Sequence, residues 1–210
     1  EAGVVDNKSE YTWVVDPIDG TVNFAHGSFL YGIMVGLLRD SVPIAGGIAL
    51  PAFNGIDIAE KGQGAFSNGE RIHVKDLDQA SSHIISFKLA GEPGDLVFNE
   101  KQAKFEAAVA TEFIHMHSSG SVYDTVMFAK GIYSGELNLT SKVWDNIAQH
   151  ILVEEAGGVY TDFYGRPMDY SKALSQPDLN YTYCAGAPKI HKKLQEIIHS
   201  VDSGFPPSRE

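Results

Sequence analysis

Cysteine is nearly absent: Cys184 is the only one in 210 residues, so no internal disulfide can form and a reducing compartment, the cytoplasm by default, is expected. Long apolar runs are missing too. The longest, Phe29 to Leu38, holds ten residues including Gly32 and Gly36, well short of the ~20 a helix needs to cross a bilayer. No membrane partner is expected. Basic charge is scarce: 16 Lys and Arg stand against 27 Asp and Glu for a formal charge of −11, with no basic cluster denser than Lys192-Lys193. That excludes the cationic stripe a nucleic-acid partner would require. An initiating methionine and a basic-then-apolar leader are also missing. The opening Glu1-Ala2-Gly3 reads as a piece whose natural beginning lies upstream.

What remains is the make-up of a globular chain, 43% hydrophobic and 20% charged, large enough for a sizeable core. Tyr11 to Val15 reads as a strand stopped by Asp16-Pro17, and Leu30 to Leu38 and Val42 to Leu50 read as adjacent strands of a buried sheet. Asn68-Gly69 tolerates positive φ and marks a hairpin. From about Asn99 the pattern changes. Lys101 to Thr111 reads as helix, Phe113 to His117 as strand, and Ser121 to Lys130 as a helix closed by Gly131. Asp145 is positioned to cap a helix over Asn146 to Ala156, ended by Gly157-Gly158. Tyr181 to Ala185 reads as strand and Pro188 to Val201 as helix. The expected division is a first sheet lobe over 1–90, a second α/β lobe over 91–203 with its boundary near Gly91 to Gly94, and a loose tail over 204–210.

The chemistry concentrates in Asp16-Pro17-Ile18-Asp19-Gly20-Thr21. Two carboxylates leave a strand end and a turn, followed at once by a glycine and a hydroxyl. Mg2+ takes oxygen ligands in octahedral geometry, and an irregular turn lets two carboxylates and the Ile18 carbonyl converge where regular structure would point them apart. Gly20 and Thr21 would open the next helix and offer backbone N–H groups to a phosphate. The same stretch also reads as an Asx-type turn that merely caps a helix. In a chain this acidic, a phosphate is held only if bound cations reverse the local field.

A second segment bears on the choice. Trp13-Val-Val-Asp16-Pro-Ile-Asp19-Gly-Thr21-Val-Asn23-Phe24 and, far downstream, Trp144-Asp145-Asn-Ile-Ala148 through Glu155-Ala-Gly-Gly158 resemble the two signature motifs of the inositol monophosphatase family, in that order. Lys61-Gly62-Gln-Gly64-Ala-Phe66-Ser-Asn68-Gly69 extends the likeness, which spans most of Trp13 to about Gly165. The resemblance implies a layered α-β-α-β-α sandwich, here without its N-terminal helices. It also implies a homodimer and a lithium-sensitive, Mg2+-dependent phosphatase acting on an inositol monophosphate or related small phosphorylated metabolite.

Laid on these residues, the resemblance gives Asp16 a metal-bridging role, the Ile18 carbonyl one metal site, and Asp19 and Asp145 another. Thr21 would orient the attacking water, and the Gly20-Thr21 backbone would hold phosphate oxygens. Two departures bear on activity. The family places a Glu-Glu pair upstream of the first motif whose first member binds metal, and only Glu1 is available; a carboxylate that partners the threonine would precede residue 1. Asn138 stands where the family has a glutamate that contacts a substrate hydroxyl, which leaves the substrate open between inositol phosphates and those of fructose-bisphosphatase- or nucleotidase-type relatives.

Two rival readings compete with this one, and the sequence itself rejects the first. A haloacid-dehalogenase-like phosphatase would need a nucleophilic Asp two residues before Asp19, where Pro17 stands. A non-catalytic phosphate- or metal-binding protein of the same fold would lack the upstream groups. His115 and His117, on one strand face with no third ligand legible, read as ordinary polar residues. Ser118-Ser119-Gly120-Ser121 reads as either a helix cap or a pocket lining. Glu154-Glu155 reads as a helix end, Cys184 as buried filler, and His26 as either a surface residue or one near the site.

Overall fold

The computed structural model describes residues 9–76 and 83–202; Glu1 and the 204–210 tail lie outside them. Six strands form an antiparallel meander: β1 (Tyr11–Asp19), β2 (Gly32–Arg39), β3 (Val42–Leu50), β4 (Gly55–Glu60), β5 (Gly64–Ser67) and β6 (Glu70–Ile72), paired in sequence order. The β2–β3 connection places Asp40 and Ser41 at φ 48° and 65°, and β5–β6 places Asn68 and Gly69 at 48° and 86°. Both are two-residue turns with positive φ, whose twist matches the strands they join.

A second, mixed sheet follows in the order β10 (Val159–Asp162), β11 (Tyr181–Gly186), β9 (Gly135–Ser141), β7 (Ile84–Lys88), β8 (His115–His117), with β7 parallel to both neighbours. Helices α3 (Tyr123–Ala129) and α4 (Val143–Glu155) pack between the sheets, and α2 (Leu96–Glu112) packs with α5 (Pro188–Asp202), which covers the far face of the second sheet. Short α1 (Thr21–Ala25) follows β1 directly. The expected layered α/β sandwich is present as four layers, sheet, helices, sheet, helices. The outer face of the first sheet is bare among the described residues: Trp13 is 67% exposed, and Tyr11, Val15, Ile33, Ile56 and Ile58 are exposed beside it.

Element boundaries differ from the sequence expectation for local physical reasons. Strand β1 does not stop at Asp16-Pro17 but continues to Asp19, because a register shift against β2 between Asp16 and Asp19 absorbs the proline, whose missing N–H would otherwise break the ladder. Helix α4 begins at Val143 rather than Asn146. Asp145 sits in its first turn and reaches back, its Oδ2 accepting the Lys142 backbone N–H at 2.6 Å. Helix α2 likewise starts earlier, at Leu96, where the Asp95 side chain accepts the Phe98 N–H at 2.8 Å.

Helix α4 sets the frame of the site. Its Ile147, Ala148, Ile151 and Leu152 are buried against the first sheet, each large aliphatic contributing roughly 1.5–3 kcal/mol. The approach is close because Gly36 presents no side chain. A Cβ there would lie 2.6 Å from the Ile147 Cγ2. The helix therefore lies almost on the strands, and its first turn reaches the end of β1.

Candidate metal and phosphate site

The end of β1 and the start of α4 bring Asp16, Asp19 and Asp145 together. One carboxylate oxygen from each lies within 4.8 Å of the others, although Asp145 comes from the other end of the chain. The turn is tied internally: the Ile18 N–H donates to Asp16 Oδ1 at 3.1 Å, and the Thr21 hydroxyl donates to the Ile18 carbonyl at 2.8 Å. Of the Asx-turn reading the turn is found but not the cap, since no side chain caps α1. The Asx turn exists, and it aims the carboxylates at a common point.

Gly20, between Asp19 and Thr21, has φ 74°, and a Cβ on it would meet Ser121 Cβ at 2.8 Å and the Leu30 carbonyl at 2.9 Å. Only glycine satisfies both the left-handed backbone and the contact. Asn23 holds the turn to the second half of the chain, its Nδ2 donating to the Leu30 and Ser119 carbonyls, each at 2.8 Å. From the opposite side the Val122 N–H donates to Asp19 Oδ2.

All three carboxyls are pushed up from the usual carboxylate range. For Asp16 the cause is burial and then the charge of Asp19. Burial also raises Asp19 to about 6, against the opposing pull of Lys88 and the Val122 N–H. Asp145 is raised by burial, with the neighbouring Asp16 adding to it. Like charges this close cannot all ionise without a compensating cation. The donor set, three carboxylate oxygens within 4.8 Å of one another, is the kind a hard divalent cation takes. The residues present therefore fit such an ion.

A cleft of about 190 Å3 opens from Asp19 and Asp145 and is lined further by Lys88, Leu89, Ala90, Gly120, Ser121, Asn138 and Thr140. Asn138, singled out from the sequence, is a wall of this cleft, its Oδ1 accepting the Thr140 N–H at 2.9 Å. Gly120 and Ser121 line it as well, so the serine-rich entry to α3 is both a helix start and a pocket wall. In the same entry the Ser119 N–H donates to Asp124 Oδ2 at 2.9 Å.

Sequence reasoning missed the floor of the cleft. Lys88 Nζ lies 2.9 Å from Glu136 Oε1 and 3.3 Å from Gln149 Oε1. Tyr183 donates its hydroxyl to Glu136 Oε1 at 2.9 Å and Thr125 its own to Oε2 at 2.7 Å. Burial alone would lower Lys88, but the carboxylates of Glu136, Asp19 and Asp124 raise it above its ordinary range and keep it charged. One signal was available: Glu136-Leu-Asn138-Leu-Thr140 alternates polar and apolar, so the three polar residues share one face of β9.

The remaining candidates resolve plainly. His115 and His117 are exposed on β8, and His117 Nδ1 lies 3.5 Å from Asp124 Oδ1 and 3.3 Å from the Tyr133 hydroxyl. His26 ends α1, with Nδ1 at 2.8 Å from the Val22 carbonyl. Cys184 is buried, which pushes its thiol up to about 12. Glu155 does more than end its helix. Its two oxygens accept the Gly62 and Gly64 N–H groups at 2.8 and 2.7 Å, fastening the β4–β5 turn to α4.

Comparison with known proteins agrees with this geometry. A profile described as the inositol monophosphatase family matches residues 1–202. The chain is 34% identical over 203 residues to a fructose-1,6-bisphosphatase/inositol-1-monophosphatase of Aquifex aeolicus, covering 94% of this chain and 73% of that protein. It is 33% identical to a probable inositol 1-monophosphatase of Mycobacterium tuberculosis, covering 92% and 69%, and 31% identical to a putative Nus factor SuhB of Neisseria meningitidis serogroup B, covering 90% and 69%. Among solved structures, an inositol monophosphatase from Anabaena superposes with a TM-score of 0.80 at 27% identity, covering 97% of this chain and 75% of that one.

Proposed function

This chain belongs to the inositol monophosphatase family, and from that premise we propose that it hydrolyses a small phosphomonoester with Mg2+, using Asp16, Asp19, Asp145, the Ile18 carbonyl and Thr21. The observation that carries the reading is the convergence of three carboxylate oxygens within 4.8 Å beside a cleft of about 190 Å3. Family membership supports a phosphatase acting on small phosphorylated metabolites.

Asp16, Asp19, Asp145 and the Ile18 carbonyl would hold the divalent cations, with Glu1 a further ligand in this reading. Bound there, such ions acidify water and spread the charge of a phosphoryl group. The chain's own residues do the rest. Thr21, whose hydroxyl donates to the Ile18 carbonyl at 2.8 Å, has its oxygen lone pairs left to accept a hydrogen bond from the attacking water and so orient it. The Gly20 and Thr21 N–H groups would bind phosphoryl oxygens. Asn138 and Asp145 would contact the alcohol that leaves.

Lithium competing for the same oxygen ligands and assembly as a homodimer belong to this reading; phosphatase assays with Li+ and sedimentation analysis test them. The decisive experiment is turnover of glycerol 2-phosphate with and without Mg2+, using this chain and an upstream-extended version. Mg2+-dependent release of phosphate by either supports the proposal. Phosphate binding without release by both would favour the non-catalytic reading instead.

A further inference from the structure

The floor of the cleft holds more than packing requires. Lys88 and Asn138 are paired positions on β7 and β9, and Ser86 and Glu136 are the next such pair. All four therefore face the same way, toward the helices between the sheets. Lys88 has three N–H donors; Glu136 and Gln149 take two, and its side chain keeps 11% exposure, into the cleft, while Glu136 behind it has none. Asn138 spends its amide oxygen on the Thr140 N–H and one amide N–H on the Tyr183 hydroxyl, which leaves one N–H to face a ligand.

The position along the cleft matters. Asp16, Gly20 and Thr21 belong to the turn, whereas Lys88, Leu89, Ala90, Asn138 and Thr140 come from the ends of β7 and β9 and line the cleft together with Asp19 and Asp145. Asn138 is the residue that contacts the leaving alcohol in the proposed function, and Lys88 is its register partner. A buried ion pair is a poor source of stability, since desolvation cancels much of the attraction. At a ligand-facing wall the Lys88 ammonium, whose third N–H is beyond those taken by Glu136 and Gln149, is a receptor for an anion. That N–H beside the remaining Asn138 amide donor matches the two oxygens of a carboxylate.

We infer that Lys88 is a specificity-determining residue and that the preferred substrate is a phosphomonoester whose alcohol carries a carboxylate, bound by Lys88 and Asn138. The inference rests on the phosphatase reading above and names the substrate class of that site.

Two near-isosteric esters test it. 2-Phosphoglycerate and glycerol 2-phosphate share a carbon skeleton and differ in having a carboxylate or a hydroxymethyl group beside the phosphoester. With Mg2+, kcat/KM is expected to favour 2-phosphoglycerate by about tenfold or more, the scale of one charge-assisted contact. Lys88→Met should collapse that ratio to about one or below. A purely structural loss would lower both esters alike and leave the ratio unchanged. Because Lys88→Met strands Glu136 in the interior, the double variant Lys88→Met/Glu136→Gln removes the buried charge and makes the same comparison in a neutral floor. Equal kcat/KM for the two esters in the parent, or a ratio that both variants preserve, overturns the inference while leaving the phosphatase reading intact. A parent that hydrolyses neither ester overturns that reading separately. The inference is then read from binding: greater thermal stabilisation by 2-phosphoglycerate than by glycerol 2-phosphate, lost in the double variant, supports it, and equal stabilisation overturns it.

Discussion

Two clusters of buried charge meet in one cleft and are built on opposite principles. At the turn, Asp16, Asp19 and Asp145 face one another with their carboxyls all pushed toward the protonated form. On the floor, Glu136 has Lys88, Tyr183 and Thr125 donating to it and sits opposite a charged partner. The floor balances its charge from within the chain. The turn does not, and an unbalanced anionic cluster is a place where a cation from solution lowers the energy. The contrast separates a structure that binds from one that is complete by itself.

The largest expected effect breaks the turn. Asp145→Asn keeps an oxygen to accept the Lys142 N–H, so the helix start survives while one ligand charge is lost. We expect turnover to fall by about 1,000-fold or more, roughly 4 kcal/mol, with the Mg2+ titration shifted to higher concentration. Unchanged Mg2+ dependence would separate Asp145 from the metal. The floor should respond in stability instead: Glu136→Ala leaves the Lys88 ammonium buried without its partner and is expected to cost about 3–5 kcal/mol, read from urea unfolding. A loss below 1 kcal/mol would mean the pair is solvated in solution.

A smaller change isolates the water. Thr21→Ala removes a hydroxyl from the edge of the turn and none of the ligand charges, so kcat should drop by about 100-fold with the Mg2+ midpoint unmoved. Equal turnover in variant and parent would remove threonine from the mechanism. The smallest effect is in pH. Asp19 is held near 6 in the fold against an ordinary value of 3.8, so the folded state binds its proton more tightly than the unfolded chain does. Its contribution to metal-free stability is therefore full at low pH and is lost as pH rises through about 6. A divalent cation needs the ionised form, and the rise in melting temperature on adding Mg2+ should be larger at pH 7 than at pH 5. A rise of the same size at both would place the ion elsewhere.

The turn was legible and the floor was not, for a definite reason. Asp-Pro-Ile-Asp-Gly-Thr carries its geometry locally. Its proline, its positive-φ glycine and its Asx hydrogen bond all act within six residues, and the hairpins at Asp40-Ser41 and Asn68-Gly69 are local in the same way. The strand boundary at Pro17 was misjudged because a β-bulge, which depends on the neighbouring strand, rescued it. Lys88, Glu136 and Gln149 come from β7, β9 and α4, and nothing in the local sequence of any one names the other two.

By itself, then, the sequence determined which residues could be ligands, the alternation that puts Glu136, Asn138 and Thr140 on one face of a strand, and the absence of any helix long and apolar enough to cross a membrane among the described residues. Only the tertiary structure decided that this polar face turns inward and becomes the wall of a cleft. A period-two pattern fixes which side chains share a side, but which side is buried depends on where the helices between the sheets come to rest. Here the bare backbone at Gly36 lets α4 lie close on the first sheet, and that approach delivers Asp145 to the turn and Gln149 to Lys88.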